Sequence, residues 1–553
     1  MGGGGAAGAD AAFGIPTQGP SGFRGLVSNK KALGLATFAS LGGVLYGYNQ
    51  GVFAQVQVMY DFQRRYQAVL GDPDLSQEAL DDSVDAVKKG LLTSILELGA
   101  FVGALIAAPI ADKISRKRSI SMWCVVFMLG TALQVGANDN IDFIWAGRWI
   151  GGMAVGALSM LVPMYNGELA PPGIRGSLVA LQQLAITFGI LISYWISYGT
   201  NFIGGEAAWR IPLALQLIPA IVLCGGAFFL PYSPRWLMLR GREEECLMTL
   251  ANLRDAEPES LLIQSEYMAL QAEQLVQEDE KHERYGPGKS EFYYAIRDYK
   301  RLLTTKTLLH RLFLGASAQA LQQWSGINAV IYYAPTIFRS IGLPESMTGI
   351  LATGIVGVVN FVFTIPAVLF VDNWGRKPTL LLGSLSLAIC LAIISAIVAQ
   401  FGDNWTANQT AGNAAVAFLY IYIAIFAVTW GPLAWVVSTE VFPLSLRAKG
   451  MGFSSAVNWL MNFVVATITP IALQNIGYGT YLLFMAFMIL GVLWAFFLLP
   501  ELKNRTLEEI DAFFRDQSGA EDAARRQRIA KQIGLDKLPV QEVKHQEDVS
   551  HAA

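Results

Sequence analysis

Charge is scarce in this sequence, and what there is lies unevenly. Asp, Glu, Lys and Arg make up 15% of its 553 residues, against the roughly 25% of soluble domains. They crowd into residues 54–90, 232–311 and 500–553 and leave long apolar blocks between. A soluble globule could not cover its surface with so few charges, so the pattern reads as a polytopic membrane protein. The net charge of −3 argues against nucleic acid as a partner, because phosphate binding needs a basic surface. Histidine is nearly absent too. His282, His310, His545 and His551 all fall outside the middle of the apolar runs, which argues against a buried histidine relay or metal cluster. Of the cysteines, Cys124, Cys224 and Cys390 lie in apolar runs and Cys246 in a charged segment, with no spacing that suggests a disulfide framework or zinc site. No nucleophile–base constellation and no phosphate loop is present, so neither an enzyme, a metal nor a cofactor is expected.

The amino-terminal "MGGGGAAGADAAFGIPTQGPSG" is Gly-rich and reads as a disordered tail. It lacks a basic n-region followed by an apolar stretch, so no cleavable signal is expected. Ala6 stands where a myristoylation signal wants Ser or Thr.

A spanning helix needs about 20 mostly apolar residues. Such runs occur at 32–54, 88–111, 119–137, 143–166, 178–199 and 211–230, then at 308–338, 349–371, 379–400, 415–440, 450–471 and 479–499. The expectation is an all-α membrane protein of twelve spans in two six-helix bundles. Its divisions are a tail 1–31, a first bundle 32–233, a helical linker 234–307, a second bundle 308–500 and a tail 501–553. Basic residues set the orientation. "DKISRKR", "PPGIRG", "DNWGRKP" and "LSLRAKG" fill the even-numbered loops, whereas "GDPDLSQEALDDSVD", "ANDNID" and "GDNWTANQTAGN" fill odd ones. Both termini and the linker are therefore expected on the cytoplasmic side. The sequons at Asn404 and Asn408 fall on the opposite side, as glycosylation requires. A third, at Asn504, is expected to be cytoplasmic and unmodified.

The halves echo each other. "DKISRKR" follows the second span and "DNWGRKP" the eighth. Glu168 and Arg175 bracket one loop as Glu440 and Arg447 bracket its counterpart. Positive-inside loops would explain the bases but not the acids paired with them. Two parallel six-helix repeats are a transporter architecture with the substrate site at the midplane between halves.

At this point the residues identify a family. "QQWSGINAVIYYAPTIF" (322–338), "GR" (147–148), "PYSPRWL" (231–237), "DNWGRKP" (372–378), "GPLAW" (431–435) and "PELKNRTLEEI" (500–510) resemble, in that order, the motifs of the sugar porters of the major facilitator superfamily, especially fungal ones. The resemblance covers about residues 30–515. Two departures stand out: Tyr232 replaces the Glu usual after the sixth span, and Ser115 stands where a Gly is usual.

A sugar presents hydroxyls around a ring, so its site needs uncharged groups that both donate and accept. Amides placed in hydrocarbon should face a cavity, because unpaired ones cost several kcal/mol. The apolar spans contain Gln182, Gln183, Gln322, Gln323, Asn328, Asn360, Asn458 and Asn462. The resemblance implies sugar contacts from Gln183, Gln322, Gln323, Asn328, Asn360, Trp435 and Asn458; helix–helix bonding is the plainer reading for Gln182 and Asn462. It also implies gating by Gly431 and Pro432 in the tenth span, with Tyr332 and Tyr333 closing the outer side. Ion pairs among Asp112, Arg116, Glu168, Arg175, Arg235, Asp372, Arg376, Glu440, Arg447 and Glu501 are expected to hold the outward-facing state.

Proton-coupled sugar porters carry Asp where Asn49 stands here, facing an Arg matched by Arg148. An amide cannot take up a proton, so the expectation is a facilitator. Glu97, mid-span in "LLTSILELGAFVGALIA", leaves a neutral acid, a partner for Arg148 or a substitute proton carrier open. The expected solute is a monosaccharide, carried by a plasma-membrane protein that functions as a monomer. The alternatives are a proton symporter, a non-transporting glucose sensor, or a carrier of a disaccharide, polyol or quinate.

Overall fold

The computed structural model describes residues 25, 28–66, 85–171, 174–341, 347–370, 375–402, 404–443, 446–503, 513–514 and 518–535. Every extended element among the described residues is a helix.

Twelve spans form two six-helix bundles. Four of them are broken. The first runs Lys30–Ala39 and Leu41–Val56 with a bend at Ser40, and the sixth runs Gly205–Leu215 and Leu217–Gly226 with a bend at Gln216. The seventh runs Lys306–Trp324 and Ile327–Ser340, parted at Gly326, whose φ of 92° suits glycine. The tenth runs Gln409–Val428 and Trp430–Glu440, parted at Thr429. Its break thus precedes Gly431 and Pro432, which occupy the first turn of the second piece, where proline costs no hydrogen bond. The unbroken spans are Ala86–Ile114, Arg116–Val135, Asp142–Leu169, Arg175–Asn201, Met347–Phe370, Arg376–Phe401, Arg447–Ile476 and Gly479–Phe497. Nine spans among the described residues are long and apolar enough to cross a membrane. The first, fourth and seventh fall short of that measure, and they carry many of the buried polar groups described below.

Large apolar side chains such as Leu382 (65% exposed) and Phe497 (72% exposed) point outward, as lipid-facing residues should. Small residues face inward. The first span places Gly43, Gly47 and Gly51 at helical spacing against the fifth, where a side chain on Gly47 would meet the Ile186 backbone. Gly189 meets the first-span backbone in return. With lipid as apolar as leucine, such close approach is what binds helices. The two bundles meet where the second span packs on the eleventh, the fifth on the eighth, and the second piece of the seventh on the first.

Helices Pro234–Leu239, Glu243–Arg254, Leu261–Tyr285 and Glu291–Thr304 cap one end of the molecule, the linker end. Ser233, Ser260 and Ser290 start three of them by accepting a backbone N–H three residues on. Helix Ser518–Gln532 lies on Leu261–Tyr285, with Arg525 paired to Asp279 and Glu283.

Candidate functional site

The break at Gly326 brings the seventh-span amides to the molecular centre. They form one directed chain. Asn328 Nδ2 donates to Gln323 Oε1 (2.5 Å), and Gln323 Nε2 donates to Asn458 Oδ1 on the eleventh span (3.0 Å). Asn458 Nδ2 then donates to Gln322 Oε1 (2.8 Å) and to Gln319 Oε1 (2.6 Å). The chain ends on backbone and hydroxyl. Gln322 Nε2 reaches the carbonyls of Trp430 and Gly431 at the tenth-span break, and Gln319 Nε2 reaches Ala434 O and Ser438 Oγ. All five amides are buried. Sequence reasoning missed Gln319, although its position in the apolar run "FLGASAQALQQW" obeys the rule that selected Gln322 and Gln323. Gln183 and Trp435 are half-buried and Asn360 is buried, and no hydrogen bond joins their side chains to this chain among the described residues.

The end opposite the linker, the far end, is shut. Tyr332 is its keystone. The Tyr332 hydroxyl accepts from Gln50 Nε2 (2.6 Å) and Asn462 Nδ2 (3.0 Å), and its carbonyl accepts from Gln57 Nε2 (2.8 Å). Tyr194 Oη donates to the Ile331 carbonyl, Lys89 Nζ to Thr336 Oγ1, and Thr467 Oγ1 to Ser94 Oγ (2.7 Å). Each of these bonds except that from Asn462 crosses between bundles. Tyr333, where the helix departs from helical dihedrals, donates to Ala466 O (2.7 Å). Gln50 and Gln57 are further amides whose roles the sequence did not disclose.

Asn49 is not brought to Arg148. Its Nδ2 donates to Gln216 Oε1 (2.7 Å) at the sixth-span bend, and no hydrogen bond joins it to Arg148 among the described residues. Gln216 was overlooked in "LALQLIPA" for the same reason as Gln319. Arg148 instead donates to the carbonyls of Leu92 (2.7 Å) and Thr93 (2.6 Å) and lies 3.8 Å over the Phe53 ring. Glu97 is its electrostatic partner. The Glu97 carboxyl is fully buried and faces the Tyr332 hydroxyl.

At the linker end the acids pair across helices. Arg116 takes Glu168 with its Nε (3.0 and 3.2 Å), and Asp112 flanks it at 2.8 Å. The second half repeats this: Arg376 takes Glu440 at 2.8 and 3.2 Å. In both halves the arginine opens the span that precedes the glutamate's own. Glu501 accepts the backbone N–H of Arg376 (2.9 Å) and Lys377 (3.2 Å), capping the ninth span. Arg235 pairs with Glu273 of the linker (2.7 Å), and Arg447 Nη2 reaches Phe442 O (3.5 Å). Asp372 lies outside the described residues, as does the Arg175 side chain. The pairs described here are formed with the far end shut, so in this state they brace neighbouring helices.

Both departures from the family pattern have a local explanation. Ser115 holds φ 100° and ψ 156°, a backbone region that favours glycine, and its Oγ accepts from Arg118 N. Tyr232 stacks on Trp236 at 5.2 Å, with Lys117 Nζ 4.2 Å from its ring centre. A ring face thus takes the cation. Asn404 is exposed and Asn408 half-exposed at the far end.

The family model "Sugar (and other) transporter" matches residues 35–514. The chain belongs to this family. The quinate permease of Emericella nidulans is 33% identical over 88% of this chain and 89% of its own length. The probable quinate permease of Aspergillus niger is 37% identical over 79% and 81%. Among solved structures, the proton:xylose symporter XylE bound to 6-bromo-6-deoxy-D-glucose aligns with a TM-score of 0.68. It is 28% identical and covers 88% of this chain and 99% of its own. XylE from E. coli in a partially occluded inward-open conformation aligns at 0.67, with 27% identity and coverage of 86% and 100%. Family membership makes the chain a transporter rather than an enzyme, within a multi-pass membrane fold.

Proposed function

We propose that the chain carries a neutral polyhydroxylated ring, a monosaccharide such as glucose or xylose, down its gradient across the plasma membrane by alternating access. The linker end is cytoplasmic in this reading and the far end is outside. The observation that carries it is the amide chain from Asn328 through Gln323, Asn458, Gln322 and Gln319. It is buried and uncharged, and its members bond to one another and to the tenth span. Each bond in it can be exchanged for one to a sugar hydroxyl, because an amide both donates and accepts. A fixed charge would instead favour an ionic solute. Downhill movement follows from Asn49, an amide bonded to another amide.

The relatives named quinate permeases favour a second reading. Quinate has the same hydroxylated ring with a carboxylate added, and it would need a cation. The central arginine, Arg148, is engaged by two carbonyls and the Phe53 ring and has Glu97 as its partner, which weighs for the neutral ring. Exchange of labelled D-glucose, D-xylose and quinate in proteoliposomes decides. Saturable sugar exchange, with no accumulation under an imposed proton gradient, is expected. Quinate exchange alone would overturn the monosaccharide reading, and proton-driven accumulation would overturn downhill transport.

A further inference from the structure

Glu97 is a buried acid that the amide site does not use. It sits mid-way along the second span, fully buried, with the Tyr332 hydroxyl facing its carboxyl. An ionisable group at such depth is costly to keep without a role. The groups that face it come from several elements: Arg148 from the fourth span, Tyr332 and Tyr333 from the seventh, and Tyr46 from the first. The eleventh span, packed on the second, adds the amide Asn462 through its bond to Tyr332.

Tyr332 decides what Glu97 can do. A phenol has two lone pairs and one proton. Gln50 and Asn462 each donate an N–H to that oxygen. The phenolic proton must then seek an acceptor. Arg148 is a donor only, and its N–H groups are already directed at Leu92 and Thr93. The Glu97 carboxyl is the facing acceptor with free valences.

We propose that Glu97 is a positioning residue that works the outer gate through Tyr332. As a carboxylate it accepts a hydrogen bond from the Tyr332 hydroxyl and holds the second piece of the seventh span against the second span. A proton from the outer water adds to one carboxylate oxygen, and no other bond changes. The neutral acid is a weaker acceptor, so the gate releases. Arg148 tolerates the change because its two carbonyl bonds and the Phe53 face remain. The inference rests on the alternating-access reading but not on the identity of the solute, and it holds whether or not transport is downhill.

The test reads the gate without any solute. Ser94 is buried at the closed outer contact with Thr467, so Ser94→Cys in the full reconstituted chain reports opening by its alkylation with a maleimide. The parent chain gives the background from native cysteines. The thiol's own pH dependence cancels in the ratio between variants. At about pH 8, adding Glu97→Gln should speed labelling about tenfold, the effect of losing one charge-assisted hydrogen bond. The ratio should fall to one towards about pH 5, where Glu97 itself is protonated. Tyr332→Phe, which keeps the ring and removes the donated proton, should also label fast and independently of pH. A ratio of one at both pH values, or a ratio that ignores pH, overturns the proposal, as does a Tyr332→Phe variant that retains the pH profile. If Glu97→Gln fails to fold, the native pH profile and Tyr332→Phe decide between the same outcomes. Failure of sugar exchange would leave these rates untouched.

Discussion

Asn458 is the residue on which the amide site turns. Its oxygen accepts from Gln323, and its two N–H groups satisfy Gln322 and Gln319. Truncation to Ala therefore leaves three amide groups on two neighbouring turns without their partner, with nothing apolar to take their place. A buried polar group left unmatched costs about 1–3 kcal/mol, which is about five- to 150-fold in rate. Asn458→Ala should lower equilibrium exchange of labelled sugar by about that factor and lower the melting temperature in detergent by some degrees, while protein still reaches the membrane. Asn458→Gln, which keeps the groups and shifts their reach, should fall between. Unaltered exchange in Asn458→Ala would show that the chain of amides is only a brace between the seventh and eleventh spans. Single residues were also where the sequence was hardest to read. That an amide faces a cavity follows from the cost of burying it in hydrocarbon, but which amide it meets depends on helix rotation. The rule thus selected Gln322 and Asn458, whereas the family resemblance set Asn49 opposite Arg148 and the structure bonds it to Gln216 instead.

Helices in this molecule are held by close approach as much as by polar contacts, and the first span shows it. Gly43, Gly47 and Gly51 recur every fourth residue, which puts them on one face, and that face meets the fifth span. A side chain at Gly47 would collide with the backbone of Ile186, which cannot move aside as a side chain could. Gly47→Val should therefore separate the two spans and lower the melting temperature in detergent by many degrees, with little protein reaching the membrane. Gly34→Ala, at a position with open space around it, should leave both unchanged. Equal behaviour of the two would mean that the approach is not what binds these helices. At this scale the sequence was largely legible. Spans could be counted because hydrocarbon thickness fixes their length. The Thr429 break was not foreseen: it precedes Gly431 and Pro432, where the eye is drawn, and nothing in threonine itself announces it. The ion pairs were foreseen as residue types but not as partners. Arg116 with Glu168 and Arg376 with Glu440 join residues far apart in sequence, so their matching repeats appear only once the helices are packed.

For the molecule as a whole, the question is whether the closed outer contacts must open for transport. The second and eleventh spans belong to opposite bundles, and they are pinned at this end by Thr467 Oγ1 donating to Ser94 Oγ at 2.7 Å. Two side-chain oxygens that close place the β-carbons within the range a disulfide can bridge after small adjustment. A chain carrying Ser94→Cys and Thr467→Cys should cross-link under mild oxidation in the state described here. The cross-link joins the bundles at one point only, so it leaves the amide chain and the linker end free. Alternating access requires the bundles to rock about the central site, and a covalent tie on one side forbids half of that cycle. Oxidised protein should lose net uptake and exchange almost entirely, and a reductant should restore both. The single variants, treated with oxidant, should keep their activity, which separates the tie from oxidation of other cysteines. Solute should still bind from the linker end, because the site can reach that side without parting the second and eleventh spans. Exchange that persists in fully cross-linked protein would mean that the solute crosses without opening this contact, and that the gate lies elsewhere than at Tyr332.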